Sequence, residues 1–95
     1  MKSQHQIEII DRIRRLRHER SCSQGGLAAM LGISRGQIGS IESCRDPHKY
    51  TLGQIHTICR EFNYRIEHLF LSEADLENGN DIIDALISKI TEYEK

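Results

Sequence analysis

Apolar residues recur at intervals of three and four along most of the chain, with polar and charged residues between them, the period of helices buried along one side. Ile9 or Ile10, Ile13 and Leu16 form the first such stripe and predict a helix from about Gln6 to Arg20. Leu27, Ala28 and Leu31 form a second, and Ile38 and Ile41 a third. Leu52, Ile55, Ile58, Cys59 and Phe62 form a fourth, which Asn63 is expected to end. Ile66, Leu69 and Phe70 predict a short fifth helix near Arg65 to Leu71. Residues 72–79 are acidic and polar and read as a linker; a last helix is expected to start near Asn80 or Asp81. In it Ile83, Leu86, Ile90 and Tyr93 are spaced three, four and three, a seam widened by Ile82 and Ile87. The pattern is all-α, with residues 1–71 as one domain and 80–95 as an added amphipathic helix.

The residues between the stripes say how the helices are joined. Ser23 is placed to cap a helix that begins at Gln24. Gly32 suits the left-handed residue that closes it, and Ser34-Arg35-Gly36-Gln37 has the spacing of a capping box for the next. Thr51-Leu52-Gly53-Gln54 repeats that box after a polar loop, residues 43–50, broken by Pro47. Two short helices joined by so tight a turn form a helix-turn-helix, whose second helix can enter a DNA major groove. Gly25, Gly26, Gly36 and Gly39 weaken both helices, so tertiary packing must hold them.

Composition narrows the function. Ninety-five residues make one small domain, suited to binding rather than to enclosing a substrate. No apolar run approaches a membrane span, and the N-terminus lacks the apolar stretch of a secretory signal, so a cytoplasmic location is expected. Cys22, Cys44 and Cys59 are scattered and read as reduced thiols, the five histidines are dispersed, and neither a metal site, a cofactor site nor a catalytic constellation is expected. The net charge of −1 hides a division: residues 1–45 carry eight Lys/Arg against four Asp/Glu, and residues 46–95 five against ten. The basic half contains the helix-turn-helix, and one end of the molecule suits phosphate.

Reading bases from a helix requires side chains near its N-terminal end that bond to base edges. Ser34, Arg35, Gln37 and Ser40 lie on or near the face opposite Ile38 and Ile41. Arginine can be bidentate to guanine and glutamine to adenine. Gln24, at the start of the preceding helix, is placed to clasp a phosphate.

Ile13-x-x-Leu16-Arg17, Ser23-Gln24-x-x-Leu27-Ala28, Leu31-Gly32-Ile33-Ser34-Arg35, Ile38-x-x-Ile41-Glu42, Pro47, Thr51-Leu52 and Ile66-x-x-Leu69-Phe70 together resemble the phage-repressor-like, XRE-type helix-turn-helix family. The resemblance spans about residues 7–71 and implies a compact five-helix repressor-like DNA-binding domain, usually a homodimer on a palindromic operator. It implies a base-facing row of Ser34, Arg35, Gly36, Gln37 and Ser40 on a recognition helix over residues 34–42. It also implies phosphate contacts from Gln24, Arg45, His48 and Lys49, and a structural ion pair between Arg17 and Glu42. Cys44 departs from the family, which commonly has glycine there; this puts the loop's left-handed turn in question and makes redox control through Cys44 conceivable.

The resemblance leaves the tail uncovered. The seam of Ile83, Leu86, Ile87, Ile90 and Tyr93 needs a cover, either its own domain or a second copy. A five-helix domain complete without the tail favours the second copy. The expected partners are double-stranded DNA and a homodimer mate, with no membrane. Two rival readings are a restriction-modification controller and an antitoxin whose tail helix binds a toxin or other protein.

Overall fold

Ser3 sets the start of the first helix. Its hydroxyl accepts the backbone N–H of Gln6, and Gln6 Oε1 accepts the N–H of Ser3, so two donors that a helix start leaves orphaned are satisfied reciprocally. The computed structural model, which describes residues 1–77 and 81–95, therefore begins α1 (Gln4–Glu19) ahead of the Gln6 start that the apolar period predicts. Ser3-Gln4-His5-Gln6 has the same Ser-x-x-Gln spacing as the box before residue 35, and was the available signal.

The helix-turn-helix follows as α2 (Gln24–Leu31) and α3 (Arg35–Glu42), then α4 (Leu52–Glu61) and α5 (Ile66–Phe70). Three of the joints share one device. Ser21 (φ 53), Gly32 (φ 68) and Asn63 (φ 49) are left-handed. The next N–H reaches back into the helix each time: Cys22 to the Arg17 carbonyl (2.9 Å), Ile33 to Ala28 (3.0 Å) and Tyr64 to Cys59 (2.8 Å). This closure satisfies the last carbonyls of α1, α2 and α4. Glycine and asparagine adopt that backbone readily; serine does so at a steric cost, which the closure over-determines at Ser21.

The core is one cluster. Ile9, Ile13, Leu27, Ile38, Ile55 and Ile58 have no exposed surface, and Ile10, Leu16, Ile41, Cys59, Leu69 and Phe70 are buried around them. Both Ile9 and Ile10 are buried because α1 is covered on two sides, by α3 and by the C-terminal helices. Burial pushes the Cys59 thiol up to about 11, so it sits in the core as a neutral, small apolar group.

The region expected to be a linker, residues 72–79, holds a further helix, α6 (Glu73–Glu77). Ser72 and Asp75 form its box: Ser72 Oγ accepts the Asp75 N–H at 3.1 Å and Asp75 Oδ2 accepts the Ser72 N–H at 3.0 Å. The Ser72 backbone and hydroxyl bonds hold the Asp75 carboxyl below its usual range. Asn78, Gly79 and Asn80, part of that linker and of the expected start of the last helix, lie outside the described residues. The last helix, α7, runs Ile82–Glu94.

α7 lies back on its own chain. The Tyr93 ring is fully buried edge-on to Phe70, 5.8 Å between centroids, and its hydroxyl donates to the Tyr50 carbonyl at 2.8 Å. Side chains from elsewhere satisfy the helix's terminal carbonyls: Gln6 Nε2 donates to Tyr93 O (2.7 Å), and Lys49 Nζ to Tyr93 O and Glu94 O (both 3.1 Å). Leu86 and Ile90 pack on the core with Tyr93, whereas Ile83 and Ile87 are 73% and 57% exposed. The seam is thus divided: its C-terminal half is covered by the chain's own domain, and one edge is left open.

Candidate nucleic-acid interface

α3 is held from beneath by a buried ion pair. Arg17 Nε donates to Glu42 Oε2 and Arg17 Nη2 to Glu42 Oε1, both at 3.0 Å, with the two side chains 6% and 7% exposed. Arg17 Nη1 donates to the Cys22 carbonyl at 2.9 Å, so the guanidinium fork ties the end of α3 to the turn before α2. Gln24 adds a third donor to the same carboxylate, Nε2 to Oε1 at 2.9 Å. Such a group balances its desolvation only while all members are present.

Above this base, the first half of α3 faces outward. Ser34, Arg35, Gly36 and Gln37 are exposed and Ser40 is half-buried, while Ile38 and Ile41 point into the core. Ser34 Oγ accepts the Gln37 N–H at 3.1 Å, and Gln37 Oε1 accepts the Ser34 N–H at 2.8 Å. A Cβ on Gly36 would meet only Ser34 Oγ, at 3.8 Å, and on Gly39 nothing within 4 Å. Neither glycine is required by packing against another helix; both leave bare backbone on the outer side.

The expected site residues fall into three settings. Ser34, Gly36, Gln37, Ser40, His48 and Lys49 border one groove between α3 and the loop 43–50. Gln24 and Arg45 border a second, shallow surface with Gly39, Glu42 and Arg14. Arg35 is exposed at the N-terminal end of α3. Arg14, one of the α1 arginines for which the sequence leaves open a solvated face or a phosphate contact, lies three residues before Arg17, so the two are neighbours on the helix surface.

The basic half of the chain is less available to phosphate than its count suggests. Lys2 is buried and donates to the carbonyls of Ser43 and Asp46, and burial lowers its pKa. Arg12 donates to Leu69 O (2.6 Å) and Arg20 to Phe62 O (2.7 Å). With Arg17 buried, the remaining cations are Arg14, Arg15, Arg35 and Arg45, and the first two pair with Asp11 at 3.9 and 3.0 Å. Lys49 is tied to α7 and lies over the Tyr93 ring at 5.4 Å. His48 is bonded to Asp46, and its backbone N–H is the first cause holding that carboxyl below its usual range.

Loop 43–50 is therefore fastened at both ends, by Lys2 and by Lys49. Cys44 is exposed, and its backbone is not left-handed: among the described non-glycine residues only Ser21, Asn63 and Asp81 are. The loop turns without the glycine conformation, and two of its carbonyls, those of Ser43 and Asp46, are held by the Lys2 ammonium.

No described helix is long and apolar enough to cross a membrane. No curated protein and no solved structure matches the chain. Residues 12–75, which include the ion pair, both helices of the motif and the loop, match the Cro/C1-type helix-turn-helix DNA-binding domain. A helix-turn-helix braced by the Arg17–Glu42 pair, with a polar outward face on its second helix, sits within that match, and the chain belongs to the Cro/C1-type helix-turn-helix DNA-binding family.

Proposed function

We propose that this DNA-binding regulator acts as a repressor-type homodimer on a palindromic operator, reading bases through Ser34, Arg35, Gln37 and Ser40. The observation that carries the reading is the exposed, polar N-terminal half of α3 on a helix whose other end is locked by Arg17 and Gln24. A helix so braced presents its side chains in one geometry, as base discrimination demands. Gln24 retains a second amide hydrogen for a phosphate, and Arg14 and Arg45 flank it. The exposed Ile83 and Ile87, one turn apart, supply the patch for a second copy. Two recognition helices would enter successive major grooves about 34–36 Å apart.

Selection of bound sites from a random duplex pool tests this directly: a two-fold motif with half-sites about one helical turn apart is expected. Arg35→Ala is expected to cost about 1–3 kcal/mol on the selected site and little on scrambled DNA. Equal losses on both would remove its base-reading role. The same Ile83–Ile87 patch favours a second reading, an antitoxin or restriction-modification controller in which another protein covers α7. Light scattering separates them: a dimer weakened by Ile83→Asp supports self-pairing, and a monomer supports the other partner.

A further inference from the structure

The turn that carries Arg45 has no apolar anchor. Ile41 and Tyr50 are buried, and none of the residues between them is. Ser43, Cys44 and Arg45 are exposed, and the Asp46 N–H closes the turn on the Ser43 carbonyl at 3.3 Å. Bonds inside the turn set its local shape and leave its place on the domain open. Among the described residues, the hydrogen bonds that reach residues 43–48 from outside α3 and the loop come from Lys2 alone, whose ammonium donates to the carbonyls of Ser43 and Asp46. Those two carbonyls bracket Cys44 and Arg45.

Lys2 is committed to this turn. It stands ahead of Ser3, which caps α1, so it belongs to no helix. Its side chain is buried, and burial is the main cause lowering its pKa, opposed by the charges of Asp46 and Cys44 in the turn itself. An ammonium this deep does not reach a phosphate. Burying a charge is costly unless it is paired and hydrogen-bonded, and here the partners that offset the cost all belong to the turn. α3 has no basic residue in its own last turn, and its C-cap is Ser43, so the same ammonium complements the negative end of the recognition helix.

On its outer side the turn meets the shallow surface that Arg45 borders with Arg14 and Gln24. Arg45 is exposed, and where its side chain can reach is set by where the turn is held. An arginine on a fixed turn loses less conformational freedom on meeting a phosphate than one on a loose segment. We propose that Lys2 is a positioning residue for DNA binding: its ammonium holds the turn 43–46 so that Arg45 stands ready for a backbone phosphate beside Gln24. The inference rests on that surface facing DNA, as in the reading above.

The test is a double-variant cycle on the full chain, Lys2→Met and Arg45→Ala, with affinity for the selected duplex and for a scrambled one followed against salt. Methionine keeps the apolar stem and loses the ammonium. Arg45→Ala is expected to weaken both duplexes alike and to make the salt slope shallower by about 0.9, the mark of one lost phosphate contact. Lys2→Met is expected to lose most of the same affinity and slope on both duplexes, although Lys2 itself is buried. In the Arg45→Ala background it is expected to change neither. A further, equal loss there would mean that Lys2 acts on DNA through its own charge, and overturns the inference. So does a Lys2→Met chain with a lower urea midpoint and an unchanged slope, the result for a purely structural lysine. Should Lys2→Met not fold, Lys2→Gln, which keeps a donor, enters the same cycle and is held to the same outcomes. An Arg45→Ala chain that binds like the wild type overturns the inference while base reading through α3 stands. A pool that yields no motif removes the base reading, and the cycle on the scrambled duplex still decides the role of Lys2.

Discussion

The helix-turn-helix and α7 are held by different kinds of bond. α2 and α3 carry their own caps, from Ser23 and Ser34, within three residues of the groups they satisfy. α7 has no side-chain cap bond at its start, and its far end depends on Gln6, His5, Tyr50 and Lys49, more than forty residues away in sequence. The reader is locally specified and globally braced, by one buried charge cluster; the tail is placed entirely by tertiary contacts. A four-glycine helix pair is marginal alone, so the Arg17–Glu42–Gln24 cluster supplies the rigidity that its helices lack. The two ends of the molecule should therefore fail separately.

The largest expected effect is on the brace. Glu42→Ala leaves the Arg17 guanidinium buried without its counter-charge and should cost about 3–5 kcal/mol in urea unfolding. A loss under about 1 kcal/mol would mean that the glycine-rich pair holds itself. Tyr93→Ala comes next, at about 3 kcal/mol, the low end for deleting a buried aromatic, because α7 can release rather than leave a cavity. Hydrogen exchange should then show α7 and loop 43–50 opening while α2 and α3 stay protected. Opening of α3 in that variant would erase the distinction between the two regions.

Two buried tyrosines differ at the scale of about 1 kcal/mol. The Tyr93 hydroxyl donates to the Tyr50 carbonyl, whereas the Tyr50 hydroxyl is buried and, among the described residues, has no partner. Tyr93→Phe should therefore destabilise by about 1 kcal/mol, and Tyr50→Phe should stabilise by a similar amount, since it removes an unsatisfied polar atom. Burial is the main cause raising both hydroxyls above the usual tyrosine range, with the nearby Glu42 carboxylate adding to it at Tyr50. A raised folded pKa means that the folded state holds its proton more tightly. The stability is fully present below the unfolded value of 10.0 and falls as pH rises above it, by up to about 1.4 kcal/mol per pH unit for each tyrosine. Replacing both with Phe should flatten the alkaline limb of a denaturation-versus-pH curve.

The smallest effect concerns the bare backbone of α3. Gly39 has open space where a Cβ would stand, so Gly39→Ala should stabilise the protein by about 0.5–1 kcal/mol in thermal unfolding. Destabilisation would show that the helix interior is already packed at that position.

What could be read along the chain was local. The helix-turn-helix, its Gly32 closure and the boxes at Ser34 and Thr51 follow from residues three or four apart, whose mutual geometry is set by the helix itself. The boxes at Ser3 and Ser72 obey the same rule and are equally legible, but they lie outside the apolar stripes from which the helix bounds follow. The all-α class followed for the same reason: the period of apolar positions is a property of neighbouring residues.

What only the tertiary structure decided was which polar groups remain free. Lys2, Arg12, Arg20 and Lys49 look alike in the sequence to Arg35 and Arg45, yet each of the first four is engaged by a backbone carbonyl far along the chain. No periodicity encodes such a pairing, because a carbonyl is present at every residue and only the fold selects the one left over at a helix end or turn. The division of the α7 seam has the same origin. Ile83, Ile87, Ile90 and Tyr93 share an apolar character that the sequence alone determines, while the placement of Tyr93 inside and Ile83 outside is set by how the end of α7 meets Gln6, Lys49 and Tyr50.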